Sequence, residues 1–295
     1  MPRWLVFSLL AIVVFGVWGL VSTAASNRLP SSLSVQVFST IGLVPVGLLL
    51  ALSPGLLRGD RIGRGCAWAF LTGLCGSLGN VALFESIRRG GQASVVYPLT
   101  GMYPLVTLVL ARGFLGERIN GVQGAGIFLA LAALFLFGDP KFDGGAVGVA
   151  PWTAFALAAL ALWGVLGVTQ KLATRHVSDA LSTLCFALAS VPVAGAIVIL
   201  RPPDWHVPAA SWAFGIGVGA LLGIGTLVLF AAYRGGKASV VTALSGLYPA
   251  LTAVLAVPVL GDPFGWKKGV AVALAAAASL ALTWEGPRKA DAPAP

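Results

Sequence analysis

Two stretches of the sequence concentrate hydroxyl and aromatic side chains that could bind a small solute. Residues 89–104 read RGGQASVVYPLTGMYP, and residues 234–249 read RGGKASVVTALSGLYP. The stretches lie 145 positions apart, and eleven of their sixteen aligned residues are identical. Chance would give about one or two matches in a composition this rich in Gly, Ala, Val and Leu. The chain therefore contains an internal repeat.

Each repeated stretch, drawn as a helix, places hydroxyl groups, Gly and Pro on one face and Val and Leu on the other. Inside a membrane such a polar face must contact protein or water. It could line a substrate cavity, or it could be a packed face whose Ser and Thr bond their own helix. We favour the cavity because the pattern occurs twice. The residues of the two faces and their borders are Tyr97, Thr100, Tyr103 and Pro104 in the first half, and Thr242, Ser245, Tyr248 and Pro249 in the second.

Four side chains in other apolar stretches are further candidates for substrate binding: Trp18, Asn80, Trp163 and Gln170. Trp18 and Trp163 are equivalent in the repeat and lie away from the segment ends, where Trp is usually enriched. A buried indole N–H needs an acceptor. Cavity lining and packing between helices are equally compatible with the two tryptophans and with Asn80.

Glu85 is the one acid well inside an apolar stretch. An intramembrane acid is often functional, so Glu85 is a candidate for coupling transport to a proton or cation. The alternative is a structural ion pair with Arg88 or Arg89, three and four residues later on the same helix. We favour the ion pair.

The composition indicates a polytopic membrane protein, because 58% of the 295 residues are hydrophobic and only 10% are charged, against about 25% charged in soluble domains. Ten apolar stretches are long enough to cross a bilayer as helices. The first resembles a signal peptide, but its Trp-Gly pair recurs in mid-chain, so we predict a retained helix. The stretches are 4–26, 33–53, 66–87, 93–111, 119–138, 151–171, 180–200, 212–233, 238–258 and 267–284.

Each half holds five apolar stretches, an odd number, so the halves must cross the membrane in opposite directions. Twelve Lys or Arg residues fall on the side of the N-terminus and seven on the other, which predicts cytoplasmic termini. We expect the membrane to be a plasma membrane, the bacterial inner membrane. Inverted repeats place a substrate site near the midplane. We therefore expect repeats at 1–145 and 146–286, around a central cavity, and a disordered tail at 287–295.

Two glycine pairs, Gly90-Gly91 and Gly235-Gly236, precede the polar faces. Glycine adopts positive φ without steric cost, so we predict tight turns at both pairs. Because the predicted turns adjoin cavity-lining helices, they are candidate gates, together with Pro104 and Pro249.

The Gly-Gly-x-Ala-Ser-Val-Val run, the Tyr-Pro that follows it and Leu115-Gly116-Glu117 resemble the EamA-type transporters of the drug/metabolite transporter superfamily. The tryptophan near the middle of each half's first stretch resembles them too. Asp262-Pro263 replaces Glu117-Arg118 in the second half. The resemblance covers nearly the whole chain and implies ten helices, with a cavity lined by the first, third, fourth, sixth, eighth and ninth. It also implies export of small organic solutes.

We therefore predict a secondary active transporter that exports small amphipathic metabolites, such as amino acids or related amines, by alternating access. The expected site has hydroxyl and aromatic groups but no charge, which suits neutral, zwitterionic or cationic solutes rather than polyanions. A flippase for a lipid-linked head group, an intramembrane enzyme and a structural or sensory module are the alternatives. A lone Glu85 supplies no catalytic pair, so we predict no enzyme.

The sequence offers no basis for a cofactor or a metal. Cys66, Cys75 and Cys185 lie in or beside apolar stretches without ligand spacing, and no nucleotide-binding P-loop is present. The expected partners are a small-molecule solute and the lipid bilayer, with no nucleic acid. The glycines at 215, 219 and 223 could form a dimer contact, but we favour packing inside the bundle, and expect a monomer or weak homodimer.

Overall fold

The computed structural model describes residues 1–90, 96, 99–137, 151–260, 265–282 and 284. Within these residues the regular structure is entirely helical. The helices are α1 (Arg3–Ser26), α2 (Ser32–Leu50), α3 (Ile62–Arg88), α4 (Tyr103–Leu115), α5 (Gly121–Phe137), α6 (Pro151–Thr174), α7 (Asp179–Leu200), α8 (Ala209–Gly235), α9 (Ala238–Ser245), α10 (Tyr248–Leu260) and α11 (Trp266–Leu282).

Six of the described helices, α1, α2, α3, α6, α7 and α8, are long and apolar enough to cross a membrane. Shorter apolar helical segments lie at 99–115, 121–133, 238–252 and 269–282. Several helices expose large apolar side chains, as α1 does with Val6 and Val13. Such surfaces favour lipid over water. Within the described residues, six of the ten predicted stretches thus correspond to full-length helices and the other four to shorter apolar segments.

The first helix fixes the two faces of the bundle. Trp4, at the start of α1, packs against Gly235 and Gly236 at the end of α8. Arg28, just after the end of α1, lies over the ring of Phe214 near the start of α8. The helices α1 and α8 are therefore antiparallel. We name the face at which α1 begins the N-terminal face and the other the opposite face.

The two halves run in opposite directions. Asp60, which precedes α3, contacts His176, which follows α6. Arg234, at the N-terminal face, binds Asp179 and the carbonyl of Val177 in the connection after α6. Hence α6 ends at the face where α1 begins, although α1 and α6 occupy equivalent places in the repeat.

The most extensive packing joins one half to the other. It comes in pairs that the repeat exchanges: α3 with α6 and α8 with α1, α3 with α7 and α8 with α2, α4 with α6 and α10 with α1. The remaining large contacts, α2 with α7 and α5 with α11, join equivalent helices. The core of the described residues therefore lies between the halves.

Close helix crossings depend on glycine, because lipid supplies little force to bring helices together beyond good packing. A Cβ atom at Gly219 of α8 would lie 1.8 Å from the Ser39 carbonyl oxygen of α2. At the matching crossing of α3 and α7, a Cβ atom at Gly73 would lie 2.3 Å from the Phe186 carbonyl oxygen. The glycines of α8 thus serve packing inside the bundle.

The two helices predicted to carry the polar faces are not continuous. A turn at Met102 precedes α4, and a turn at Gly246-Leu247 separates α9 from α10. Pro104 and Pro249 are the second residues of α4 and α10. Proline is favoured in the first turn of a helix, where its missing N–H costs no hydrogen bond. Each proline therefore lies in the first turn of a helix, and the predicted stretches at 93–111 and 238–258 each contain a turn within their described residues.

Candidate functional site

Two aromatic pairs join the halves at equivalent positions. The rings of Trp18 and Tyr248 lie 5.8 Å apart in an edge-to-face arrangement. The rings of Trp163 and Tyr103 lie 6.1 Å apart with nearly the same geometry. In each pair the tryptophan comes from the first helix of one half, and the tyrosine starts the second part of the other half's broken helix. All four side chains are half-buried.

The two pairs meet near the break between α9 and α10. A Cβ atom at Gly246 would lie 3.3 Å from the Tyr103 hydroxyl, while Tyr248 begins α10 two residues later. The structure therefore brings Trp18, Tyr103, Trp163 and Tyr248 into one region between the halves.

A buried hydroxyl cluster lies beside this aromatic region. Tyr233 and Thr242 share a hydrogen bond of 2.7 Å between their hydroxyl oxygens. The hydroxyls of Thr242 and Thr107 each lie 2.8 Å from the place of a Cβ atom at Gly167. The Thr107 hydroxyl donates to the Gly164 carbonyl. Helices α4, α6, α8 and α9 thus meet around oxygen atoms, with Gly167 allowing the approach.

Thr100 and Ser245 show the second arrangement that the sequence allowed for hydroxyls on a polar face, in which the hydroxyl bonds its own helix. The Thr100 hydroxyl donates to the Val96 carbonyl at 2.9 Å. The Ser245 hydroxyl donates to the Val241 carbonyl at 2.7 Å. Both residues are buried. In this conformation their hydroxyls therefore bond their own helices.

Two candidate residues carry polar atoms without a hydrogen-bond partner among the described residues: Trp18 Nε1 and Gln170 Oε1. The Ser22 hydroxyl, one helical turn after Trp18, also has no hydrogen-bond partner among the described residues. A buried polar group without a partner costs free energy, so a ligand or water that bonded it would be stabilised there. Trp163 differs, because its Nε1 approaches the Gly76 carbonyl at 3.5 Å.

Asn80 has a partner that sequence reasoning missed. Its Nδ2 donates to Gln36 Oε1 of α2 at 3.0 Å, and Gln36 is 3% exposed. A glutamine inside an apolar stretch was the signal that could have identified Gln36. The pair crosslinks α2 and α3, which are both in the first half.

Glu85 forms ion pairs at the opposite face. Its carboxylate contacts Arg88 and, at 2.9 Å, Arg89. Arg201 of the other half approaches it at 3.6 Å. The favoured structural pairing is therefore present, with an additional arginine that sequence spacing alone could not indicate.

The glycine pairs behave differently from each other. Gly90 has φ of 94°, as a tight turn requires. Gly236 has φ of −93°, and Gly235 belongs to α8. A Cβ atom at Gly236 would lie 2.4 Å from Val241 Cγ2. Close packing, rather than positive φ, therefore requires glycine at the second pair.

Two charged side chains, Lys171 of α6 and Glu117 of the connection between α4 and α5, hold the turn between α8 and α9. Lys171 Nζ donates to the carbonyls of Tyr233 and Gly236 at the end of α8. The Glu117 carboxylate accepts from the backbone N–H of Ala238 and Ser239 at the start of α9. A cation at a helix C-terminus and an anion at an N-terminus both complement the helix dipole. The sequence suggested no such role for Lys171.

A cleft of about 350 Å³ opens beside this turn on the N-terminal face, lined by Trp4, Asn120, Gln123, Gly235, Gly236, Lys237 and Val240. A second cleft of about 430 Å³ on the same face contains Arg58, Asp60, Arg175, His176, Asp179 and Arg234. Both clefts lie on the N-terminal face, away from the predicted centre.

Several residues named in the sequence analysis lie outside the described part of the chain: Gly91, Tyr97, Asp262, Pro263 and the tail at 287–295. Among the residues that are described, no group of three or more His, Cys, Asp or Glu side chains could hold a metal ion.

Comparison with known proteins gives two kinds of match. The model of the EamA-like transporter family matches residues 2–138 and again residues 150–284. One solved crystal structure, described only as a protein, matches this chain with a TM-score of 0.76 and 22% sequence identity. The match covers 95% of this chain and 96% of the other chain. Its identity is low enough that it supports the fold alone. No curated protein matches the sequence.

Proposed function

Because this chain belongs to the EamA-like transporter family, within the drug/metabolite transporter superfamily, we propose that it moves small zwitterionic or cationic metabolites across the membrane by alternating access. The observation that carries this proposal is the pair of aromatic contacts, Trp18 with Tyr248 and Trp163 with Tyr103. The tyrosines are at the beginnings of α10 and α4, where the polar helices are interrupted.

Interrupted helices in inverted repeats are typical of transporter binding sites. Aromatic rings attract cations, and the hydroxyl cluster of Thr107, Thr242 and Tyr233 offers oxygen acceptors to an ammonium group. The N–H of Trp18, which has no hydrogen-bond partner among the described residues, offers a donor to a carboxylate or carbonyl. These groups together suit amino acids or related amines. They do not suit a polyanion, which would need Arg or Lys at the site.

The antiparallel halves support alternating access. Equivalent helices in the two halves point in opposite directions, so a swap of their conformations would close one face and open the other. We propose that both termini are cytoplasmic, that the membrane is a bacterial inner membrane and that the physiological direction is export. Cysteine accessibility at positions 3, 141 and 289 tests this topology. Labelling of position 141 only from the cytoplasm contradicts it.

Substrate class is tested by uptake into proteoliposomes containing the purified protein. We expect saturable uptake of an amino acid or amine, with mutual competition among such solutes and none from a sugar phosphate. Saturable uptake of a sugar phosphate without competition from any amino acid or amine contradicts the proposed substrate class.

A further inference from the structure

We infer that Glu117 is a positioning residue of the transport cycle, which joins the two halves at the N-terminal face and must release α9 when that face opens. This inference rests on the proposed transport function. Glu117 belongs to the connection between α4 and α5 in the first half, whereas α9 belongs to the second half. The bond between them therefore crosses from one repeat to the other.

The Glu117 carboxylate makes three hydrogen bonds to the first turn of α9. Its Oε1 accepts from the Ala238 backbone N–H at 2.6 Å, and its Oε2 accepts from the Ser239 backbone N–H at 3.0 Å. The Ser239 hydroxyl also donates to Oε2, at 2.7 Å. Hydrogen bonds to an ionised acceptor are the stronger kind, and these satisfy donors that a helix start leaves free.

The start of α9 depends on this contact because its own N-cap residue, Lys237, makes no capping hydrogen bond with its side chain. Lys237 Nζ instead donates to the Arg118 carbonyl. That bond also crosses from the second half to the first, directly beside Glu117. The N-terminal end of α9 is thus held mainly by the other repeat.

The contacts on the two sides of the turn before α9 differ in whether they lie within one half or join the two halves. Lys171 and the end of α8, which it caps, both belong to the second half. Their contact can persist while the halves move. The Glu117 contact links the halves, so it must break if they separate at this face. The 350 Å³ cleft beside Lys237 and Val240 lies next to that contact.

Release of α9 would expose the polar residues that it carries. Thr242 and Ser245 are buried in this conformation, with 1% and 5% of their surfaces exposed. Both follow the Glu117 contact within two helical turns. Glu117 therefore controls access from the N-terminal face to the hydroxyl side of the proposed site.

The experiment measures thiol accessibility and needs no substrate. In a chain whose three native cysteines are replaced by alanine, Ser245→Cys reports on the N-terminal face, and Ser22→Cys, near the end of α1, reports on the opposite face. A membrane-impermeant maleimide is applied to vesicles of both orientations. In the Glu117→Ala variant, we expect the maleimide to label Ser245→Cys about tenfold faster from the N-terminal face. The rate at which it labels Ser22→Cys from the opposite face should not rise.

Matched variants separate this role from general loosening of the fold. Glu117→Gln keeps one carbonyl oxygen as an acceptor and should give an intermediate rate. Glu85→Gln, which removes an acid at the opposite face, should leave labelling of Ser245→Cys unchanged. Three results in Glu117→Ala would overturn the inference. They are faster labelling of both reporters, faster labelling of Ser22→Cys alone, and no faster labelling of either reporter in Glu117→Ala or in Glu117→Gln.

The proposed function can fail independently of this inference. If labelling responds as expected but uptake assays find no amino acid or amine transport, the Glu117 contact still controls access and the substrate assignment is wrong. If transport occurs and labelling does not respond, Glu117 is not the controlling contact.

Discussion

Thr107 of the first half donates a 2.8 Å hydrogen bond to the carbonyl of Gly164 in the second half. The equivalent threonine, Thr252, donates to the Gly16 carbonyl at 2.9 Å. Each bond joins the second part of a broken helix to the first helix of the other half. These bonds lie one helical turn from the aromatic pairs, so the same crossings fix both the packing and the candidate site.

At the helix crossing beside Gly164, adding a methyl group should cost more stability than removing one hydrogen bond. A Cβ atom at Gly164 would lie 2.3 Å from Val106 Cβ, so Gly164→Ala should destabilise the protein by about 1–3 kcal/mol. Thr107→Val keeps the volume and loses only one interhelical bond, which costs about 0.5–1 kcal/mol. Thr107→Ser, which keeps the hydroxyl, is the control. Unfolding in detergent measures all three, and a greater loss in Thr107→Val than in Gly164→Ala contradicts the expectation.

Trp18 and Trp163 should differ when each is changed to phenylalanine. Trp18 Nε1 has no described partner, so Trp18→Phe should lower the melting temperature only through the packing that the smaller ring loses against Phe15 and Tyr248. It should weaken substrate binding about fivefold, the value of one hydrogen bond. Trp163→Phe keeps a ring and loses the 3.5 Å contact to Gly76 and the packing of the indole against Gly79, neither of which faces a solute, so its effect on binding should be smaller. Thermal shift with increasing solute measures both properties, and unchanged affinity in Trp18→Phe refutes the donor role.

Glu85→Gln should not abolish transport or change its pH dependence. The carboxylate is engaged by Arg88, Arg89 and Arg201 at the opposite face, and its exposed partners limit its contribution to stability to about 1 kcal/mol. Proteoliposome uptake with and without an imposed pH gradient is the measurement. Loss of gradient-driven uptake, with substrate binding retained, would instead make Glu85 the coupling acid.

Asp60 gives a prediction for acid stability. The hydrogen bond from His176, 3.2 Å away, lowers the pKa of Asp60 below its ordinary value of 3.8. Because the folded-state pKa is the lower one, this contribution is present above about pH 4 and is lost as pH falls through the folded-state value. Asp60→Asn should therefore flatten the acid limb of a stability-against-pH curve below pH 4. An identical acid limb in the variant and the parent rules out this contribution.

The glycine pairs predict different responses to a larger residue. Gly90 has positive φ, and no described residue lies within 4 Å of a Cβ atom there, so Gly90→Ala should cost mainly the strain of the backbone, about 1 kcal/mol. Gly236→Ala must displace Val241 and should cost more. Unfolding measurements compare the two. If Gly90→Val and Gly235→Val both leave folding and transport intact, the proposed gating role of these pairs fails.

The sequence alone determined the class of the protein and its repetition. Apolar stretches long enough to cross a bilayer, and a chain that repeats at a spacing of 145 residues, predict a helical membrane protein because lipid leaves backbone groups no partners outside the chain. The family resemblance carried by Leu115-Gly116-Glu117 and the glycine-rich runs was confirmed by two matches to the family model. The equivalence of Trp18 and Trp163 was also visible in the sequence.

Only the tertiary structure decided which groups meet. The sequence could place Trp18 and Tyr103 on polar or aromatic faces, but their partners, Tyr248 and Trp163, come from the other half and depend on how helices cross. The breaks before Tyr103 and Tyr248 escaped a periodicity argument, because a short turn between two apolar helices hardly changes the hydrophobic pattern. The contact of Glu117 with α9 spans more than 120 residues, and folding alone brings that carboxylate to the helix start that needs an acceptor.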